Sequence, residues 1–227
     1  MKKSTQLEKL LEKLDWRSVR RHYDRRILTH NELVTLLTKG SVVPFAELAL
    51  GITDGNANYS ADLHRLGPRI IGTNLKAEER VFALGNEFYA LKDARNVPAI
   101  IERAKLSSLR IGVGSEISCM VNPHVCWVAN VRTIWTHLVV KHNSLAKANE
   151  ELALYRDHDA ASEMYWPNWS AIHANVKADL VKVANFGAEQ AKLAGIRCGD
   201  VVYLWADAIA THVYGMHHLS RATDAEG

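Results

Sequence analysis

Apolar residues recur along most of this chain with the period of an α-helix. Leu7, Leu10, Leu11 and Leu14 share one face after a cap at Ser4, and Val19, Tyr23 and Ile27 continue a similar stripe at intervals of four. Asn31 to Thr38 reads as a second helix. Ser41 with Pro44 opens a third that stops at Gly51, and a turn cluster fills Thr53 to Asn58. A short helix ends at Gly67-Pro68, Thr73 or Asn74 caps Leu75 to Leu91, and Asn96 with Pro98 opens another to about Arg110. Gly112-Val113-Gly114-Ser115 reads as a hinge. Pro123 to His142 forms the most apolar helix, and Ser144 caps the next, to about Arg156. A long amphipathic helix follows from Trp169 to about Ala194, and a last one runs from Asp200 to Tyr214.

Period-two alternation is missing, so the pattern predicts an all-α fold of about ten helices. The central apolar helix, 123–142, packs against the C-terminal apolar helix, 200–214. The same reading divides the chain into a basic amphipathic arm (1–28), a small helical module (29–72), a main helical domain (73–215) and a flexible tail (216–227).

With 227 residues, 48% hydrophobic and 23% charged, the chain has the material for a real core and is neither disordered nor low-complexity. Three cysteines, Cys119, Cys126 and Cys198, do not make a disulfide framework, which points to a reducing, cytoplasmic setting. No uncharged apolar run approaches the roughly 18 to 20 residues a membrane span requires.

Charge changes the picture once it is located. The net charge is +3, yet residues 1–30 hold nine basic and four acidic residues, a surplus of +5 that leaves the rest slightly acidic. Arg17, Arg21 and Arg25 stand four apart on one helix face, with Arg20 and Arg26 beside them. Like charges at that spacing repel unless an anion offsets them, so this face is the expected phosphate-binding surface. The expected partner is nucleic acid, RNA or single strands foremost, with an acidic protein as the alternative. The leucine stripe of the arm, packed on a neighbouring subunit, gives a homo-oligomer of a coat or nucleocapsid-like kind. Trp166 and Trp169, beside a loop, offer stacking surfaces for bases.

The two apolar helices carry polar residues that demand partners. Asn130, Thr133, His137 and Lys141 fall in one line of the central helix, and Arg132 and Thr136 in another. Asp207 projects from the middle of the last helix with Tyr203 and Thr211, and Arg132 or His137 is its expected partner. The stretch Val131-Arg132-Thr133-Ile134-Trp135-Thr136-His137 resembles the Arg-x4–6-His motif of HEPN-type ribonucleases, small helical proteins of toxin and phage-defence systems. That resemblance, seven residues long, implies metal-independent RNA cleavage in which Arg132 neutralises developing charge and His137 shuttles protons. The family more often has Asn, Asp or His directly after the Arg, where this chain has Thr133. Arg-x4-His also occurs at Arg17/His22 and Arg25/His30, outside any apolar helix.

Upstream, Phe45 to Thr53 resembles the first helix and turn of a helix-turn-helix unit, with Tyr59 to Leu66 as recognition helix. Residues 41–74 nevertheless carry three acids against two bases, the wrong balance for phosphate. Metal chemistry lacks its spacings: no Glu-x-x-His, His-x-x-x-His or Cys-x-x-Cys occurs, so neither metal nor cofactor is expected. Cys119 and Cys126 read as core. Arg156-Asp157-His158-Asp159 reads as a solvated loop.

Overall fold

A computed structural model describes residues 4–54, 65–155 and 166–224. Among them the fold is all-α, as the periodicity predicts, with eleven α-helices and no strand. In chain order these are α1 (Gln6–Leu11), α2 (Trp16–Thr38), α3 (Val42–Ala49), α4 (Leu66–Thr73), α5 (Ala77–Ala90), α6 (Val97–Ala104), α7 (Ile111–Val121), α8 (Val131–His142), α9 (Leu145–Tyr155), α10 (Trp166–Leu193) and α11 (Val202–Asp224). A 3-10 turn at Ala94–Asn96 precedes α6. One hydrophobic core runs from Leu7 in α1 to Val213 in α11.

From Ser4 on, where the described residues begin, the N-terminal segment packs into this body and does not stand off as an arm. Thr5 and Glu8 close a capping box on α1, and Leu7, Leu10 and Leu11 are buried against α8 and α10 of the same chain. The leucine stripe therefore finds its cover internally, and it is not free to seat on a second subunit. Asp15 caps α2 by accepting from the Arg17 backbone N–H, and the helix then runs unbroken through the boundary expected at residue 28. Thr29 and Asn31 suggest a break by composition. Thr29 instead turns its hydroxyl back onto the Arg25 carbonyl at 3.1 Å, and Leu33 and Leu37 continue the buried stripe, so tertiary cover carries the helix through. Helices α3 and α4 pack on α5, across the boundary expected at 72.

Three further expectations change. The central helix begins at Val131, eight residues later than Pro123, because Asn130 is extended (φ −102°, ψ 179°) and its side chain accepts from the N–H groups of Arg132 and Thr133. Residues 123–130 instead lead in as a largely buried non-helical segment. Its backbone is anchored where Ser115 accepts a hydrogen bond from Ala129 N–H at 2.8 Å. The Gly112–Ser115 stretch is not a hinge; it belongs to the first turns of α7, every residue of which is buried. Gly114 serves close packing there: a Cβ at this position would lie 2.4 Å from Ile101 Cδ1 on α6. Finally, α11 does not fray after Tyr214 but continues to Asp224, since Tyr214 and His217 pack on the indole of Trp135.

Candidate nucleic-acid interface

Helix α2 sorts its five arginines by angle. Each residue advances the helix by about 100°, so neighbours in sequence can point to opposite surroundings. Arg17, Arg21 and Arg25 are exposed, and no carboxylate lies in ion-pair contact with any of them among the described residues. Arg21 donates to the Ser18 hydroxyl at 2.8 Å, which steadies its side chain without neutralising it.

The other two leave that surface. Arg20 is tied to Asp24 at 2.7 Å and donates to the carbonyls of Arg197 (3.2 Å) and Cys198 (3.0 Å), so it fastens the linker between α10 and α11. Arg26 is 0% exposed and bonds Asp207, itself 0% exposed, with Glu116 of α7 at 3.8 Å. Asn130 donates to the same Glu116 carboxylate at 2.8 Å. Arg26 is thus withdrawn from any phosphate and is the cation that Asp207 requires. Of the partners expected for Asp207, His137 bonds Asp179 instead, and Arg132 forms no ion pair with Asp207. One residue beyond Arg25, the Arg26 side chain falls on the core-facing side of α2, where only a buried carboxylate makes its charge tolerable.

Arg132, at the first turn of α8, is half-buried. Its field reaches His22, together with those of Arg26, His212 and Arg25. Burial first, and these charges second, push the His22 imidazole down to about 2, so it is neutral at physiological pH. The rings of His22 and His212 meet edge to face with centroids 5.6 Å apart. His212 is likewise lowered, chiefly by burial, with Asp15 pulling the other way and Arg21 adding to the depression. Arg25 and Arg132 thus add to the depression of His22, and Arg21 to that of His212, so the pair stays neutral beside these cations.

His137 faces away from this cluster. Its Nδ1 bonds Asp179 of α10 at 2.7 Å, and Lys182 holds the other Asp179 oxygen at 2.7 Å. Burial lowers the His137 imidazole more than Asp179 raises it. Helix α8 is unbroken from 131 to 142, so Arg132 and His137 remain about 140° apart around its axis. The structure does not bring these two residues together at one site within this chain.

A second basic feature lies on another part of the molecule. Lys92, Asp93 and Arg95 after the end of α5, His124 in the lead-in to α8, Lys177 on α10 and Tyr203 on α11 surround a cleft of about 410 Å³, with Trp127 in its wall. No local pattern announces it, since its residues come from four separate segments. Glu116 also escapes a reading of the sequence alone, although a lone carboxylate within the apolar run Ile111–Val121 gives the same signal that marks Asp207. The side chains of Trp166 and Trp169, most of the expected recognition helix 59–66, and residues 156–159 lie outside the described residues. No described helix is long and apolar enough to cross a membrane.

No protein-family model, curated protein or solved structure matches this chain.

Proposed function

We propose that this protein binds nucleic acid, single-stranded RNA foremost, through phosphate contacts from Arg17, Arg21, Arg25 and Arg132. The observation that supports it is the sorting of α2. The arginines on its inner and flanking sides have carboxylate partners, whereas the three on its outer face have none among the described residues and are joined by Arg132 from α8. Because the opposite side of the helix is locked in the core, Arg17, Arg21 and Arg25 are rooted about 6 Å apart along a rigid axis, at the four-residue rise of a helix. A phosphate strand laid on them relieves their mutual repulsion and releases counterions.

A single strand fits better than a duplex. Duplex readers insert an element into a groove, and the segment that most resembles such an element, residues 41–74, is net acidic. The test is a salt series of binding to a fluorescent oligoribonucleotide, with double-stranded DNA as competitor and chelator present. Binding that weakens steeply with salt and resists duplex competition supports the reading. Affinity independent of salt, or no affinity, overturns it. Cleavage of the oligonucleotide in chelator, lost on Arg132→Ala and His137→Ala in folded protein, replaces it with the ribonuclease reading.

A further inference from the structure

Leu28 is 68% exposed in the middle of α2. The other large apolar residues exposed among the described residues, such as Leu75, Leu154 and Leu193, lie at a helix end or between helices. Arg25 precedes Leu28 by three residues and Glu32 follows it by four; both are exposed, and the three fall within about 60° of one another around the helix. Neither charge is used within the chain. Arg25 and Glu32 have no ion pair among the described residues, and about 10 Å of helix rise keeps them from meeting each other. Arg21 and Thr35 extend the row, so exposed positions recur at steps of four, three, four and three, the spacing at which one helix seats on another.

A cleft of about 310 Å³ opens beside this row. Helix α2 lends it Arg25, Leu28 and Glu32, the segment after α3 lends Thr53 and Asp54, and Leu48, 5% exposed, gives it an apolar patch. An exposed leucine next to a cleft that is itself partly lined by leucine is self-complementary, since a second copy turned end for end both offers the same side chain and receives one. Charge selects that orientation. Parallel pairing sets Arg25 on Arg25 and Glu32 on Glu32, whereas a two-fold axis near Leu28 sets the Arg25 of each copy opposite the partner's Glu32.

We infer that α2 is a self-pairing surface: two copies of this chain seat α2 on α2, antiparallel, with each Leu28 against the partner's cleft and an Arg25–Glu32 ion pair on either side of the axis. One apolar anchor between two exposed ion pairs makes a weak, reversible pair and not an obligate dimer. Pairing engages Arg25, one of the residues assigned to the strand, so a bound strand and a second copy exclude each other there. That exclusion rests on the nucleic-acid-binding reading; the pairing itself does not.

The experiment is sedimentation equilibrium of the full chain across the micromolar range, with the parent, Leu28→Asp, Arg25→Glu and Glu32→Arg. The parent's average mass rises with concentration towards twice the 25.4 kDa of the chain. Each variant weakens pairing by about tenfold or more and keeps the parent's far-ultraviolet helical signal, because the changed side chains are exposed. An equimolar mixture of Arg25→Glu with Glu32→Arg pairs again to within about threefold of the parent, since one copy then carries both acids and the other both bases across the same axis. A short oligoribonucleotide, bound at saturation, returns the parent to single copies. A parent that stays monomeric throughout overturns the pairing, as does a mixture that stays monomeric while the parent pairs. A dimer that persists with the strand bound overturns the exclusion alone. A dimer without affinity for any strand supports the pairing and overturns the strand-binding reading.

Discussion

Arg26 and Asp207, 181 residues apart in the chain, form an ion pair in which neither side chain is exposed. This pair joins the second helix to the last. Glu116 of α7 approaches the same guanidinium, so one cation serves two buried carboxylates, and Asn130 adds a neutral donor to Glu116. Removing the shared cation is costlier than removing either anion. Arg26→Met is expected to destabilise the protein by about 3 to 5 kcal/mol, because the charges it leaves have no water to turn to. Asp207→Asn, which keeps shape and a hydrogen-bonding group, costs less. Urea unfolding checks the order, and an Arg26→Met protein as stable as the parent refutes it.

The outer face of α2 gives the opposite expectation. Reversing Arg17, Arg21 and Arg25 to Glu leaves stability within about 0.5 kcal/mol per site, since the side chains are exposed and, among the described residues, unpaired with carboxylates. Oligonucleotide affinity falls. The slope of log affinity against log salt shrinks by about 2, at about 0.7 for each of the three phosphates that the variant no longer neutralises. A variant that keeps the parent slope means that these arginines do not touch the strand.

Stability should decline in mild acid. His173 is 1% exposed, and burial lowers its imidazole to about 4, while the unfolded chain titrates near the ordinary value of 6.5. Between those values the unfolded state takes up a proton that the folded state refuses, so stability is full above pH 6.5 and lost as the pH falls towards 4. The loss attributable to His173 is about 3 kcal/mol by pH 4. His22, lowered to about 2, adds to it over the same range and further down. His173→Phe should flatten the stability profile between pH 6.5 and 4; an unchanged profile shows that the buried ring is not the titrating group.

Gly114→Ala places a methyl group against Ile101 Cδ1, 2.4 Å from the ideal Cβ position, in a fully packed helix contact. The expected cost is about 1 to 3 kcal/mol. Ile101→Ala removes both Cδ1 and Cγ1, which would lie 2.4 and 2.6 Å from the added methyl, so the double variant should be more stable than the sum of the two single changes, a coupling measurable in a double-mutant cycle. Strict additivity contradicts the close approach of α6 and α7.

Helical periodicity was enough to show an all-α chain with a deep core, because a stripe of leucines at three- and four-residue intervals can satisfy itself in few other ways. It also marked Asp207 as a buried acid in need of a cation, and it separated Arg17, Arg21 and Arg25 as one row. Which cation meets Asp207 was a matter for the tertiary structure. Arg26 looks like its neighbours in sequence, and only the seating of α2 against α7 and α11 turns it inward. The same seating decides that the leucines of α1 are covered by their own chain, that α2 passes residue 28 without a break, and that Lys92, Lys177 and Trp127 share one cleft. Local pattern fixes which side of a helix is apolar, whereas long-range packing fixes what that side, and each charge at its edge, is placed against.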